Sequence, residues 1–283
     1  MPEGDTVWLA GRRLDDALAG RVLTRSDFRV PQLATVDLAG REVTEVVSRG
    51  KHLLTRIAGD LTLHTHFRMD GSWHLYRPGA RWHGGPDWQV RLLLSNAEWD
   101  AVGYRLPVVE LLPRDREADV VGHLGPDLLG PDWDPAEAVR RLAADPGREI
   151  GQALLDQRNL AGVGNLYKAE VCFLEGVSPW TPVRDVDLRS VVDRSHRLLD
   201  LNKDHVRQTT TGTGRRGADH WVFERHGRPC LRCGPRVLTA AQGTPPYERI
   251  AYWCPQCQPG PAPEPVRKPR RADRPAGRTR YRP

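Results

Sequence analysis

Residues 156–170 read DQRNLAGVGNLYKAE, and the passage from Asn159 to Asn165 inside them decides how the chain is organised. Gly162 and Gly164 stand ahead of the amphipathic run Leu166, Ala169 and Phe173, so a glycine-rich turn passes into a helix there. Two glycines allow another backbone to come close, and the unpaired amides of a first helical turn suit a phosphate. Taken alone, the same pattern also suits a plain helix-to-helix connection. Outward from the turn the sequence stays helical: PAEAVRRLAA, REIGQALLDQ, NLYKAEVCFLEG and DLRSVVDRSHRLLDLNKDHV fill 136–206. Cys172, on an apolar face beside Phe173, is read as a small buried hydrophobe.

Further along, Cys230-x-x-Cys233 and Cys254-x-x-Cys257 enclose GPRVLTAAQGTPPYERIAYW. Val237 and Leu238 make one arm of a ribbon, Gly-Thr-Pro-Pro the turn, and Ile250 to Trp253 the return arm. Two such Cys-x-x-Cys turns complete a tetrahedral four-thiolate zinc site, closed and therefore structural. Two other readings fail: a disulfide pair would suit an exported chain, and the nucleobase-deaminase pattern needs a His-x-Glu that this chain lacks.

In the other direction, 113–135 (PRDREADVVGHLGPDLLGPDWDP) shifts to Pro, Gly and Asp and reads as a linker. Ahead of it a helix from about Asp5 to Leu18 is followed by short alternating segments: RVLTRSDF, EVTEVVSR, KHLLTRI, LTLHTHF, QVRLLLS and PVVELL. Their spacing predicts a β-sandwich or barrel. His64 and His66 share one face of a strand with no carboxylate or cysteine beside them, so they read as sheet and cleft residues rather than a second metal site. The nine tryptophans are scattered and suit cores and domain contacts rather than a base-stacking array.

The 283 residues allow two ordinary domains. The formal charge of +6 sits in 258–283, which hold eight basic and two acidic side chains and leave 34 of each sign in 1–257. That Pro- and Arg-rich tail cannot repay its ordering entropy and is expected to be disordered, adding affinity for any polyanion without sequence preference. No export signal and no apolar run near the roughly 18 residues of a spanning helix are present, so the expectation is a cytoplasmic, nucleoid-associated monomer that makes no membrane contact.

Pro2-Glu3-Gly4 remains. Removal of Met1 would leave the Pro2 nitrogen a free secondary amine, and a terminal amine titrates near 8, well below lysine, so a useful fraction is nucleophilic at neutral pH. Together with DQRNLAGVGNLYKAE, VFERHGRPCLRC and YERIAYWCPQCQ, in that order, this start resembles the Fpg/Nei superfamily of DNA glycosylases over essentially all of 1–257. The resemblance implies an α+β chain of two domains that grip damaged double-stranded DNA across a cleft. The first is an N-terminal β-sandwich with an N-terminal helix (1–115). After a linker (116–135), the second is a helix-two-turns-helix domain (136–225) with a four-cysteine zinc finger (226–257).

The resemblance also implies roles. Pro2 would be the nucleophile that expels the base and forms an iminium, Glu3 the acid-base group beside the sugar, and Lys51 in Arg49-Gly50-Lys51-His52-Leu53 the lysine near sugar and phosphate. Met69 would fill the void left by the extruded base, with Arg68 and Asp70 facing the orphaned partner. Asn165, with the amides after Gly164, and Arg249 would hold backbone phosphate, and Cys230, Cys233, Cys254 and Cys257 one structural Zn2+. Elimination would then cut the strand on both sides.

Met-Pro-Glu-Gly in place of Met-Pro-Glu-Leu, the lack of an Arg-Arg-Phe-Gly motif in Tyr104–Glu110, and the short TTTGTGRRGADHW stretch favour the Nei (endonuclease VIII) branch and oxidised pyrimidines. The alternatives are an Fpg-like 8-oxoguanine glycosylase and a non-catalytic zinc-ribbon protein that binds damaged DNA. The family's second glutamate at the sixth position is Thr6 here, so proton transfer falls to Asp5, Glu3 or water.

Overall fold

The computed structural model describes residues 2–215 and 217–263. Helix α1 (Gly4–Leu18) opens the chain, with Val7, Leu14, Ala17 and Leu18 buried. Nine strands follow: β1 (Arg21–Val22), β2 (Arg25–Phe28), β3 (Glu42–Arg49), β4 (His52–Ile57), β5 (Leu61–His66), β6 (Ser72–Tyr76), β7 (Val90–Ser95), β8 (Asp100–Tyr104) and β9 (Val108–Pro113). They form two antiparallel sheets, β1-β3-β4-β5-β9 and β2-β7-β8-β6, which share one core with α1 through Leu53, Leu63, Leu92, Leu94 and Val109.

The sequence expectation differs at two places. RVLTRSDF is two strands in different sheets, because the backbone bonds Arg41 O from Leu23 and Ser95 O from Thr24, crossing from one sheet to the other. Strands β6 and β8 fall within the strand-rich region 21–112 but outside the segments singled out there. Val102, Gly103 and Tyr104 of β8 are buried in succession, so the polar alternation that marks a half-buried strand is missing.

The stretch read as a linker is partly structured. It holds α2 (Glu117–Val121), and Glu117 pairs with Arg56 of β4 at 2.8 Å. Asp127 is buried and accepts from the Gly50 amide at 2.7 Å, which ties this stretch to the β3–β4 turn.

The second half comprises α3 (Pro135–Ala143), α4 (Ile150–Leu155), α5 (Asn165–Leu174) and α6 (Leu188–Asn202), then a hairpin of β10 (Leu238–Gln242) and β11 (Arg249–Trp253). Asp134 starts α3 by accepting from the Ala136 and Glu137 amides, with Pro135 in the first turn. Leu142, Leu154, Leu166, Phe173, Val192 and Leu199 form a second core. Val222, Val237 and Cys254 belong to that same core, so the boundary placed at 225/226 does not separate two packing units.

Residues 258–261 also depart from the expected tail. Gln258 is buried, donating to Val177 O and accepting from the Cys254 amide, both at 2.9 Å, while Ser178 bonds Pro261 O. The rest of the tail, from 264, lies outside the described residues.

Candidate active site

Glu3 precedes α1 in extended backbone, and its side chain crosses to the helical half. Its Oε2 accepts from the Gly164 amide at 2.7 Å and the Tyr167 amide at 3.4 Å, and Oε1 from the Leu166 amide at 2.7 Å. A carboxylate from one domain thus caps α5 of the other, satisfying amides that a helix leaves unpaired. The close approach demands glycine: a Cβ on Gly164 would stand 2.6 Å from Glu3 Cδ, and one on Gly4 2.9 Å from Gly162 Cα. This corrects one expectation. The amides of Gly164, Leu166 and Tyr167 are taken by Glu3 and are not free for a phosphate.

Burial pushes the Glu3 carboxyl up to about 7, against the lowering pull of Lys51 and of the Leu166 and Gly164 amides, and with added upward pressure from Asp5. Lys51 Nζ donates to Val163 O at 2.7 Å, beside the same turn. Desolvation brings Lys51 down to about 8, opposed by Glu3 and assisted by Arg249. Asp5 is fully engaged elsewhere. Tyr167 donates to its Oδ2 at 2.6 Å, and Gln208 Nε2 donates to Oδ1 at 2.9 Å and Oδ2 at 3.0 Å. Burial and the Asp5 charge push the Tyr167 hydroxyl far above its usual range, so it stays a donor. Both carboxyls open to the proton role left by Thr6 thus have a donor on every oxygen; Glu3 is the one next to Pro2 in the chain and the one that burial holds near neutrality.

Pro2 is half-buried where two recesses meet. One, of about 520 Å³, is walled by Thr6, Phe67, Trp73, His74, Tyr76 and Gln208. The other, of about 770 Å³, gathers Lys51, His66, Arg68, Met69, Asn165 and Arg249 from four separate stretches of sequence. Met69 is 52% exposed on the turn after β5, so it stands outside both cores. Asp70 is exposed on the same turn. Asn165 Nδ2 donates to Ile250 O at 3.0 Å, joining the start of α5 to the ribbon strand that carries exposed Arg249.

The histidines differ from expectation in their partners. His64 Nδ1 lies 2.9 Å from Glu110 Oε2 on β9, a carboxylate far away in sequence, and His64 Nε2 lies 2.9 Å from His52 Nδ1. The Glu110 carboxylate selects the tautomer with hydrogen on His64 Nδ1, which makes His52 the donor in the second bond. His66 Nδ1 accepts from the Arg68 amide at 3.0 Å, leaving an Nε2 donor on the residue that lines the cleft.

Among the described residues, the cluster able to hold a metal is Cys230, Cys233, Cys254 and Cys257, whose sulfurs all lie within 4.8 Å of one another. Their Sγ separations of 3.9, 3.4 and 3.2 Å bracket the roughly 3.8 Å edge of a tetrahedron with Zn–S bonds of about 2.3 Å, so the four thiolates fit Zn2+. The ion would tie the ribbon to the helical core, and with it Arg249 and the Ile250 carbonyl that holds Asn165. Cys233→Ser or metal stripped by a chelator is expected to cut duplex affinity about 100-fold or more, since such sites supply folding energy outright. Binding titrations alongside zinc analysis check this; full affinity without zinc would refute it.

Two residues that shape the cleft were not singled out from the sequence. Glu170, buried in α5, accepts from the Trp221, Val222 and Phe223 amides at 2.8 Å each and so shapes the segment bringing Phe223 to the cleft. A charge at a buried helix position was the available hint. Arg105, at the bend just after β8, bonds the turn that carries Met69, and nothing in its neighbours pointed there.

Comparison with known proteins agrees with this arrangement. Residues 1–105 match the family model of the formamidopyrimidine-DNA glycosylase N-terminal domain and 124–214 that of the formamidopyrimidine-DNA glycosylase H2TH domain. A Streptomyces coelicolor protein named "Probable endonuclease 8 2" is 58% identical over 100% of this chain and 99% of its own. The Mycolicibacterium smegmatis "DNA-(apurinic or apyrimidinic site) lyase Nei2" is 48% identical over 91% of this chain and 99% of its own. The Fpg of Lactococcus lactis, solved with a DNA containing N7-benzyl-Fapy-dG, superposes with a TM-score of 0.76 at 22% identity, covering 92% of this chain and 100% of that one, a likeness of fold. With both domains matched and relatives named endonuclease 8 aligned end to end, the chain belongs to the Fpg/Nei family of DNA glycosylases, in its Nei branch.

Proposed function

We propose that this chain is a bifunctional DNA glycosylase and AP lyase of base excision repair that removes oxidised pyrimidines from duplex DNA as a monomer in the cytoplasm. The observation that carries it is Pro2 at the junction of the two recesses, with the Glu3 carboxyl next in the chain and Lys51 on the cleft side. The smaller recess takes the extruded base and the larger the deoxyribose-phosphate backbone. No helix among the described residues is long and apolar enough to cross a membrane.

With Met1 removed, the Pro2 nitrogen attacks the anomeric carbon, the glycosidic bond breaks, and the base leaves with the bonding pair and a proton. Glu3, neutral below about 7, delivers a proton to the ring oxygen as the sugar opens to the iminium. Loss of a proton beside the iminium expels the 3′ phosphate, a second elimination expels the 5′ phosphate, and water releases the sugar remnant and regenerates the amine. Lys51, Asn165 and Arg249 hold the backbone, Met69 fills the void, and Arg68 and Asp70 face the partner base. Bound Zn2+ supplies no reaction step; it holds the ribbon in place.

Borohydride trapping on duplexes carrying thymine glycol, dihydrouracil, 8-oxoguanine or an abasic site tests the reading. An adduct mapped to Pro2 on the pyrimidine lesions is the expected result. Trapping with 8-oxoguanine instead would assign Fpg-like specificity. No adduct on any substrate, with Met1 shown to be gone, would mean a DNA-binding protein without the chemistry.

A further inference from the structure

The turn that carries Met69 is weakly held by its own residues. Gly71 N donates to Phe67 O at 2.9 Å and the Arg68 amide to His66 Nδ1 at 3.0 Å, while Arg68, with φ of 47°, sits in a conformation that L residues rarely adopt. Arg68, Met69 and Asp70 are all exposed. One side chain reaches the turn from elsewhere: Arg105 Nε donates to Asp70 O at 3.0 Å. Among the described residues no other side chain bonds a backbone carbonyl of 68–70.

Arg105 is anchored on its far side. Its Nη1 donates to Gln89 Oε1 and, at 3.5 Å, to Gly84 O, and its amide donates to Gln89 O at 2.8 Å. The 83–89 loop is in turn fastened by the Tyr76 hydroxyl, which accepts from the Gly84 amide at 2.9 Å and the His83 amide at 3.3 Å. Arg105 itself has φ of 49°, and the next residue, Leu106, is buried, so the guanidinium is held across a fixed gap. A planar fork with several donors suits such a bridge; a single ammonium can satisfy one side of it.

We propose that Arg105 is a positioning residue that clamps the wedge turn to the 83–89 loop and so presents Met69 ready to enter an opened duplex. This rests on the reading of Met69 as the residue that fills the void. Pre-ordering the turn removes an entropy cost that insertion of a loose loop would otherwise bear. Arg105 touches no reacting atom; it acts through Met69.

The test uses the full chain and a duplex with 2-aminopurine opposite a tetrahydrofuran abasic analogue, whose fluorescence reports wedge entry without any chemistry. Wild type should change the fluorescence on binding. Arg105→Ala should still bind yet lose most of that change, and should remove a pyrimidine lesion about 10-fold more slowly through kcat rather than KM. Arg105→Lys should recover part of both. The double variant with Met69→Ala should be no worse than Met69→Ala alone, the non-additivity expected of two residues acting through one contact. Cleavage of a single-stranded abasic oligonucleotide, which leaves no void, and the thermal midpoint should stay at the Arg105 wild-type level.

A full fluorescence change in Arg105→Ala, strict additivity, or an equal loss on the single strand would overturn the clamp. Wild type that shows the wedge response but excises no base would defeat the enzymatic reading and leave the clamp standing. Wild type with no response would defeat the clamp.

Discussion

A chain that carries one extra residue, or an acetyl group, on the Pro2 nitrogen is expected to give no borohydride-trapped adduct and to lose about 10⁴-fold or more in strand cleavage, the scale on which loss of a covalent nucleophile is felt. The cause is electronic before it is steric. Acylation turns a secondary amine into a tertiary amide whose lone pair is shared with the carbonyl, so it can neither attack the sugar nor form an iminium. Grip on the duplex should fall only a few-fold, because Arg249, Asn165 and Met69 stand on other elements of the cleft. Gel-shift affinity and trapping, measured on the same preparation, separate the two. Cleavage retained in the blocked chain would move the nucleophile elsewhere, first to Lys51, whose ammonium burial brings down to about 8.

How much of this was legible beforehand follows from the range of each signal. Strands β3, β4, β5 and β7 showed in local apolar patterning, and the ribbon in cysteine spacing, because a few neighbouring residues encode each. Strand β8 did not, since it is buried on both faces. The positions of Pro2, Lys51, Asn165 and Arg249 were readable through motif resemblance, and the cleft brings them together. What could not be read were the partners. Glu3 finds its amides at Gly164 and Leu166, Asp5 finds Tyr167 and Gln208, and His64 finds Glu110, each across a tertiary contact that no local pattern encodes. Those partners bear on the chemistry: Glu3 occupies the Gly164, Leu166 and Tyr167 amides that a phosphate would otherwise meet, and Tyr167 and Gln208 fix the Asp5 carboxylate.

The second large effect concerns Glu3, and its sign follows from the direction of the shift. The folded carboxyl is raised from 4.5 to about 7, so between those values the folded chain holds a proton that the unfolded chain has lost, and stability falls by on the order of 3 kcal/mol as pH rises through that window. For catalysis the acid must be protonated while the amine, ordinarily near 8, must not be. The two requirements overlap only partly. Single-turnover base excision should therefore rise tenfold per pH unit up to about 7, stay level to about 8, and fall beyond.

Glu3→Gln should lower excision by about 10²- to 10⁴-fold and remove the fall at high pH, leaving a rate that climbs to about 8 and stays there. The Gln amide also brings N–H groups against the Gly164 and Leu166 amides, so part of the loss will show as a lower thermal midpoint; the shape of the pH profile is the part that packing cannot produce. Lys51 loses charge in the same upper range, so the comparison belongs in Lys51→Arg, whose guanidinium stays charged. There, an alkaline fall that survives Glu3→Gln would show that another group donates the proton. Its disappearance would fix Glu3 as the acid, held near neutrality by the burial that comes with capping α5 across the domain boundary.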